Sequence, residues 1–121
     1  MADREHIAII REGVARWNLW RERYPYVRPR FAGADLTQAA LCEANLSGAD
    51  LTRAVLSKAD LRGASLAVAD LRSAILTGAD LENAVLIGAS LIGADLSRTN
   101  LSRADLIGAD LSARNEITCP F

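Results

Sequence analysis

Few side chains in this 121-residue chain are of the kinds that carry out catalysis or bind metals. His6 is the single histidine, and Cys42 and Cys119 are the only two cysteines, 77 positions apart. A lone imidazole lacks the further ligands of a metal site and the paired nucleophile of general-base catalysis. We therefore expect no catalytic, cofactor-binding or metal site, and no enzyme activity. We also expect an ordinary surface position for His6 and two free thiols.

Carboxylates are more numerous, and they recur at a fixed spacing. Eight Asp and two Asn residues each stand immediately before a residue of a regular leucine series: Asp35, Asn45, Asp50, Asp60, Asp70, Asp80, Asp95, Asn100, Asp105 and Asp110. A dense row of unneutralised carboxylates could imitate the phosphates of DNA. Asp and Asn side chains also readily accept hydrogen bonds from nearby turn amides. The interleaved Arg53, Arg62 and Arg72 favour the second interpretation.

A five-residue period defines the elements that position these groups. From Phe31 to Leu111 every fifth residue is bulky and apolar, and Ala stands two residues before each leucine except where Thr99 replaces it. This period fits neither a helix nor a continuous strand, whereas a chain that turns once per pentapeptide satisfies it. Leu and Ala then point inward and the residue between them points outward. Seven of the eight glycines fall two residues after a central residue, where a type II turn requires positive φ.

The motif Ala-Asp/Asn-Leu-x-x, as at Ala49-Asp50-Leu51, resembles the pentapeptide repeat family over residues 34–111. The resemblance implies an all-β solenoid, a right-handed quadrilateral β-helix with four pentapeptides per coil and about four coils. The segment GVARWNLWR from Gly13 resembles the leader of small cyanobacterial members, in which an N-terminal α-helix caps the first coil. The spacing of apolar residues agrees with one amphipathic helix face, formed by Ile7, Ile10, Val14 and Trp17.

These observations predict one structural domain with three parts. Residues 1–30 form the capping helix and a linker, residues 31–111 the β-helix, and residues 112–121 a C-terminal tail. Residues 1–30 carry a net charge of +3 and residues 31–111 a net charge of −4. These charges are too small to indicate a nucleic-acid partner, and we expect the arginines of residues 1–30 to be solvated.

Location and assembly follow from the same pattern. No apolar run exceeds four residues, so we expect no membrane span, and neither a secretory leader nor a disulfide framework is indicated. A reduced, cytoplasmic location is the simplest interpretation. We expect Ile117 and Phe121 to plug the last coil in part, with some homo-oligomer forming through the C-terminal end.

The outward positions contain the one candidate site. Aliphatic residues cluster there on one side of the predicted coil, and they are Val68, Val85, Ile87, Ile92 and Ile107. Contiguous exposed aliphatics mark interfaces, although branched side chains also favour extended positions in general. We therefore predict a rigid protein–protein interaction scaffold that uses this candidate partner surface, its protein partner unknown. The family resemblance implies an alternative, a DNA-mimicking regulator that binds a topoisomerase such as gyrase.

Overall fold

The computed structural model describes residues 1–112. Two helices come first, α1 at Arg4–Arg11 and α2 at Val14–Arg23. Beyond them, the described residues form no extended strand but are joined by thirteen isolated parallel β-bridges. Each bridge pairs residues 20 positions apart, as in the column Asn45, Ser65, Val85 and Asp105. Each 20-residue stretch, called a coil below, therefore stacks directly on the next.

The turns between bridges follow the five-residue period. All sixteen residues that lie two positions after a central residue, from Gly33 to Gly108, have φ between 52° and 72°. The next alanine N–H then donates to the carbonyl of the central residue, as Ala49 does to Leu46 at 3.0 Å. The predicted positive φ is thus confirmed at all seven glycines of the repeat. The nine other residues adopt it despite the cost of a left-handed conformation to a side chain.

Leucine and alanine fill the interior of the coils. The central residues from Phe31 to Leu101 are buried, and most of the alanines two positions before them are buried as well. Thr99 occupies one of these alanine positions and is also buried, and its hydroxyl donates to the carbonyl of Leu76 at 2.7 Å. The interior is therefore nearly uniform along the molecule, because each coil repeats the same two residue types.

Backbone hydrogen bonds account for four of the five amides in a pentapeptide. Around Leu71, the Leu71 and Ser73 amides donate to one neighbouring coil, and the Asp70 amide donates to the other. The Ala74 amide closes the turn onto the Leu71 carbonyl. Only the amide directly after the central residue, here Arg72, has no backbone partner within this pattern. We call it the fifth amide, and its hydrogen-bond acceptor must come from a side chain such as that of the residue before the leucine.

The N-terminal segment forms two helices where the sequence predicts one. The break is at Gly13, whose φ of 111° is outside the helical range, while Ile10 and Trp17 on either side are both buried. Helix α2 lies against the first coil, because the Trp17 indole N–H donates to the Asn45 carbonyl at 2.8 Å. The Asn18 side chain adds bonds to the backbone of Glu43 and Asn45.

The expectation of a surface position for His6 is wrong. His6 is buried, its ring centroid lies 4.9 Å from that of Trp20, and its Nδ1 accepts a hydrogen bond from the Arg30 amide at 3.0 Å. Because Nδ1 is an acceptor, the ring proton lies on Nε2. His6 precedes Ile10 by four residues, a spacing that places both side chains on the same face of α1.

Arg21 likewise departs from the expectation of a solvated arginine set. Its guanidinium is buried and donates to the carbonyls of Val27 and Ser47, at 2.9 Å each. Burial lowers the pKa of this guanidinium from its usual value. Arg21 therefore ties helix α2 to the segment that follows it and to the first coil.

Candidate partner-binding surface

The Asp and Asn residues before the leucines have a structural use. In all ten cases the side-chain oxygen Oδ1 accepts a hydrogen bond from the fifth amide, two residues later, at 2.9–3.2 Å. This is the Asx turn anticipated by one of the two interpretations of the sequence. Asn does the same work as Asp at Asn45 and Asn100, so the bond needs a carbonyl-type oxygen rather than a charge.

Several of these carboxylates are also neutralised locally. The guanidiniums of Arg62 and Arg72 each bind the Asp two residues before them, and the closest ion-pair distance is 2.7 Å in both pairs. The Arg62 side-chain hydrogen bond holds the pKa of the Asp60 carboxyl below its usual value. Hydroxyl donors lower the pKa of the Asp35 and Asp95 carboxyls in the same way, from Thr37 and Ser97. Cationic side chains thus neutralise part of the Asp charge, and the carboxylate oxygens already accept hydrogen bonds from backbone amides.

The structure brings the predicted aliphatic residues onto neighbouring parts of the solenoid. We call the set Val68, Val85, Ile87, Ile92 and Ile107 the apolar ladder. Val85 belongs to the column Asn45, Ser65, Val85 and Asp105, and the turns after this column stack through bonds such as Val68 N–H to Ile87 O at 2.8 Å. Ile92 lies in the next turn along the chain. The exposed fractions are 68% for Val68, 42% for Ile87, 39% for Ile92 and 71% for Ile107, while Val85 is half-buried.

Val68 is in a conformation that its side chain disfavours. Its φ is 52°, in a turn position that seven other pentapeptides fill with glycine. A β-branched residue in the left-handed region is an outlier, and its strain is on the order of 1–2 kcal/mol. Its side chain is largely exposed, so interior packing does not compensate for this strain. Strain of this kind concentrates at functional sites.

The ladder also interrupts the series of Asx turns. Six pentapeptides lack Asp or Asn before the leucine, and they have Ala40, Val55, Ser65, Ile75, Val85 and Ser90 instead. Three of the six lie around the ladder, where the fifth amides after Ser65, Val85 and Ser90 belong to Ala67, Ile87 and Ile92. Within residues 1–112 these three amides have no hydrogen-bond acceptor. By contrast, the Ile107 amide is bound by Asp105 at 3.1 Å. The middle of the ladder therefore combines exposed aliphatic side chains with amides that lack an internal partner.

The sequence analysis missed a second exposed apolar feature, on the helices. Ile9, Leu19, Trp20 and Tyr24 line a shallow groove between α1 and α2, together with charged residues that include Glu5. Leu19 is 63% exposed because it lies off the face of α2 that contains the buried Trp17. The helical spacing of Leu19 relative to Trp17 was the available signal.

The described residues offer neither a metal site nor a membrane-spanning helix. Among residues 1–112, no group of three or more His, Cys, Asp or Glu side chains is arranged to hold a metal ion. Neither α1 nor α2, the helices of the described region, is long and apolar enough to cross a membrane. Cys42 is an exposed free thiol on the first coil, and Cys119 lies outside the described residues, as do Ile117 and Phe121.

A family model of pentapeptide repeats matches residues 30–67, 64–103 and 79–113, with eight copies of the repeat. These matches span well over half of the chain. The chain is a pentapeptide repeat protein. Among solved structures, a pentapeptide repeat protein from the cyanobacterium Cyanothece 51142 is 35% identical, with a TM-score of 0.69. The match covers 71% of this chain and 60% of that one.

A second pentapeptide repeat protein, from Nostoc Pcc 7120, is 42% identical, with a TM-score of 0.57. That match covers 76% of this chain and 72% of the Nostoc chain. A search of curated proteins found no match. The family membership agrees with the resemblance seen in the sequence, and the two similar structures are both of cyanobacterial proteins.

Proposed function

We propose that this pentapeptide repeat protein is a non-enzymatic, rigid protein–protein interaction scaffold of the cytoplasm. Its residues 31–111 form a right-handed quadrilateral β-helix of about four coils, and α1 and α2 cap the first coil. The apolar ladder is the partner-binding surface. The observation that carries this proposal is the exposed, strained Val68 within a contiguous set of exposed aliphatic residues.

The uniform interior supports a scaffold rather than an enzyme. Leucine and alanine fill the coils, so the interior offers no cleft in which a substrate could be enclosed. Backbone bonds between neighbouring coils hold the outward residues of the inner coils in place, which fixes that surface before a partner arrives. A preorganised surface loses little conformational entropy on binding.

The use of the carboxylates argues against the alternative of DNA mimicry. An imitation of DNA needs dense charge of one sign, because counterion release dominates that interaction. Here the Asp residues before the leucines each hold a turn amide, and Arg62 and Arg72 neutralise Asp60 and Asp70. A gyrase supercoiling assay distinguishes the two functions, and we expect micromolar protein to leave supercoiling unchanged.

Affinity capture from the native cell tests the scaffold proposal. The double variant Ile87→Lys, Ile107→Lys places charges on the apolar ladder without altering the interior. We expect it to lose at least 10-fold of the captured partner, since buried aliphatic contacts with a partner are each worth roughly 1–3 kcal/mol.

Ser57→Lys, Ser102→Lys is the matched control. Both serines occupy the same turn position as Ile87 and Ile107 but follow other columns. The control variant should capture as much partner as the wild type. Equal capture by all three proteins would remove the apolar ladder as the binding surface.

A further inference from the structure

The side of the solenoid that contains Val85 has two complementary ends. It consists of the column Asn45, Ser65, Val85 and Asp105, with the turn residues that directly precede and follow it; we call this surface the Asn45 side. The preceding turn residues, one per coil, are Glu43, Gly63, Asn83 and Arg103, and the following ones are Ser47, Ala67, Ile87 and Ile107. Glu43 and Asn45 thus lie on the first coil, and Arg103 and Asp105 on the last of these four.

We propose that the Asn45 side binds a second copy of this chain, with the two solenoid axes antiparallel. A two-fold axis between the second and third coils, perpendicular to the solenoid axis, places the first coil of one copy against the fourth coil of the other. Such an interface is isologous, so each contact occurs twice. The proposal deepens the proposed function, since it uses part of the same surface and names its partner.

Charge complementarity supports this arrangement. The two-fold operation brings Glu43 against Arg103 of the second copy, and Arg103 against Glu43 of the second copy. Glu43 and Arg103 are both exposed, and neither has an ion pair or side-chain hydrogen bond within residues 1–112. Two opposite-charge pairs therefore form that the single chain does not satisfy internally.

Hydrogen-bonding groups are complementary under the same operation. Asn45 uses its Oδ1 to accept the Ser47 amide, and its NH₂ group has no partner among the described residues. Asp105 uses its Oδ1 to accept the Ile107 amide, and its Oδ2 has none. The two-fold axis places Asn45 against Asp105 of the second copy, so a free donor faces a free acceptor.

Three of the four apolar residues of the Asn45 side, Ala67, Val85 and Ile87, lie on the two middle coils near the axis, together with Gly63, Ser65 and Asn83. Ala67 meets Ile87 of the second copy there, and Ser65 meets Val85 of the second copy. An apolar centre with a polar rim is the usual anatomy of a protein interface. A parallel pair, with the two-fold axis along the solenoid, would instead place Glu43 near Ser47 and leave both charges without partners.

The area of this side predicts a weak complex. Four coils lie about 4.8 Å apart and each contributes one pentapeptide, so the projected area of the Asn45 side is on the order of 200–300 Å². A standard interface buries about 800 Å² on each partner. We therefore expect a dissociation constant on the order of 0.1–1 mM, so that the protein is monomeric when dilute.

Sedimentation equilibrium of the full chain, from about 20 μM to about 1 mM, tests the proposal because this range spans the expected dissociation constant. The wild type should shift from the 13.0 kDa monomer towards twice that mass. Ile87→Lys should abolish the shift. Glu43→Arg and Arg103→Glu should each weaken the association about 3- to 10-fold, since each creates two like-charge contacts. Circular dichroism of each variant shows that it is folded.

The charge-swapped double variant Glu43→Arg, Arg103→Glu identifies the antiparallel arrangement. It should restore the association to within about 2-fold of the wild type, because both ion pairs form again with reversed sign. Lys58→Glu, at the corresponding turn position before another column, is the control and should leave the association unchanged. A failure of the double variant to recover would overturn the arrangement, and association that survives Ile87→Lys would place the contact elsewhere, for example at the C-terminal end.

The two proposals can fail separately. A wild type that stays monomeric at the highest concentration overturns the second-copy proposal. If the apolar ladder is still required for capture of a different protein in that case, the interaction-scaffold proposal stands.

Discussion

At the scale of single residues, Val68 is where the repeat departs most from its own geometry. Its turn position requires positive φ, which glycine adopts freely and valine does not. In the next coil Gly88 occupies the same position, and a Cβ atom added there would lie 3.4 Å from Cγ1 of Val68. The same turn position therefore holds valine, which disfavours positive φ, in one coil and glycine, which adopts it freely, in the next.

Exchanging these residue types should change stability in opposite directions. We expect Val68→Gly to raise the free energy of unfolding by about 0.5–1 kcal/mol, because relief of the strain exceeds the greater chain entropy of glycine. Gly88→Val should lower it by about 1–2 kcal/mol, since it adds strain and a close contact. Urea unfolding of both variants measures the changes. Loss of stability in Val68→Gly would show that Val68 is not strained.

Single residues were also where the sequence was least informative. The five-residue period predicted the inward positions of Leu and Ala and the positive φ of the glycines, because those depend only on the local repeat. It did not place His6 or Arg21, whose burial depends on how the helices meet the first coil. It showed that no Asp or Asn precedes Leu66, Leu86 or Leu91, but not that the amides after these leucines lack any other acceptor, because that depends on the bonds between coils.

At the scale of the pentapeptide, the Asx turn explains the residue before each leucine. Four amides of the unit are satisfied by the backbone, and Asp or Asn accepts the fifth. The sequence left two interpretations of these carboxylates open, and the bonds support the structural one. Where the motif lacks Asp or Asn, as at Val85, the pentapeptide still stacks on its neighbours. The Asx turn therefore adds to the stability of the coil but is not required for the coil to form.

The Asx turns make the solenoid sensitive to acid. The hydroxyls of Thr37 and Ser97 lower the pKa values of Asp35 and Asp95 in the folded protein. A depressed folded-state pKa contributes stability that is present above the unfolded value near pH 4 and is lost as pH falls through the folded value. We expect the urea midpoint to decrease between about pH 5 and pH 2.

Replacing Asp35 and Asp95 with asparagine separates the contribution of the hydrogen bond to stability from that of the charge. Asn45 and Asn100 already make the same bond, so Asp35→Asn, Asp95→Asn should keep most of the stability at pH 7 and lose less of it in acid. Asp35→Ala, Asp95→Ala is the control that removes the bond at every pH. If the Asn variant lost as much stability in acid as the wild type, the charges of Asp35 and Asp95 would not be the cause of the acid sensitivity.

At the scale of the whole molecule, the repeat builds a column whose interior is the same in every coil, so specificity must come from the outward residues. The sequence predicted which outward residues are aliphatic, and the bridges show that most of them stack around one column. It could not predict the complementary ends of the Asn45 side, because Glu43 and Arg103 are 60 positions apart and become related only through the stacking of coils.

Site-specific photo-crosslinking in the native cell shows which side of the solenoid contacts a partner. A photoreactive amino acid replaces, one at a time, the residue at the same turn position after three of the four columns: Ser57, Ile87 and Ser102. We expect discrete adducts, with a partner protein or with a second copy, from position 87 and none above background from positions 57 and 102. Equal adducts from all three positions, or adducts only from position 57 or 102, would contradict this expectation.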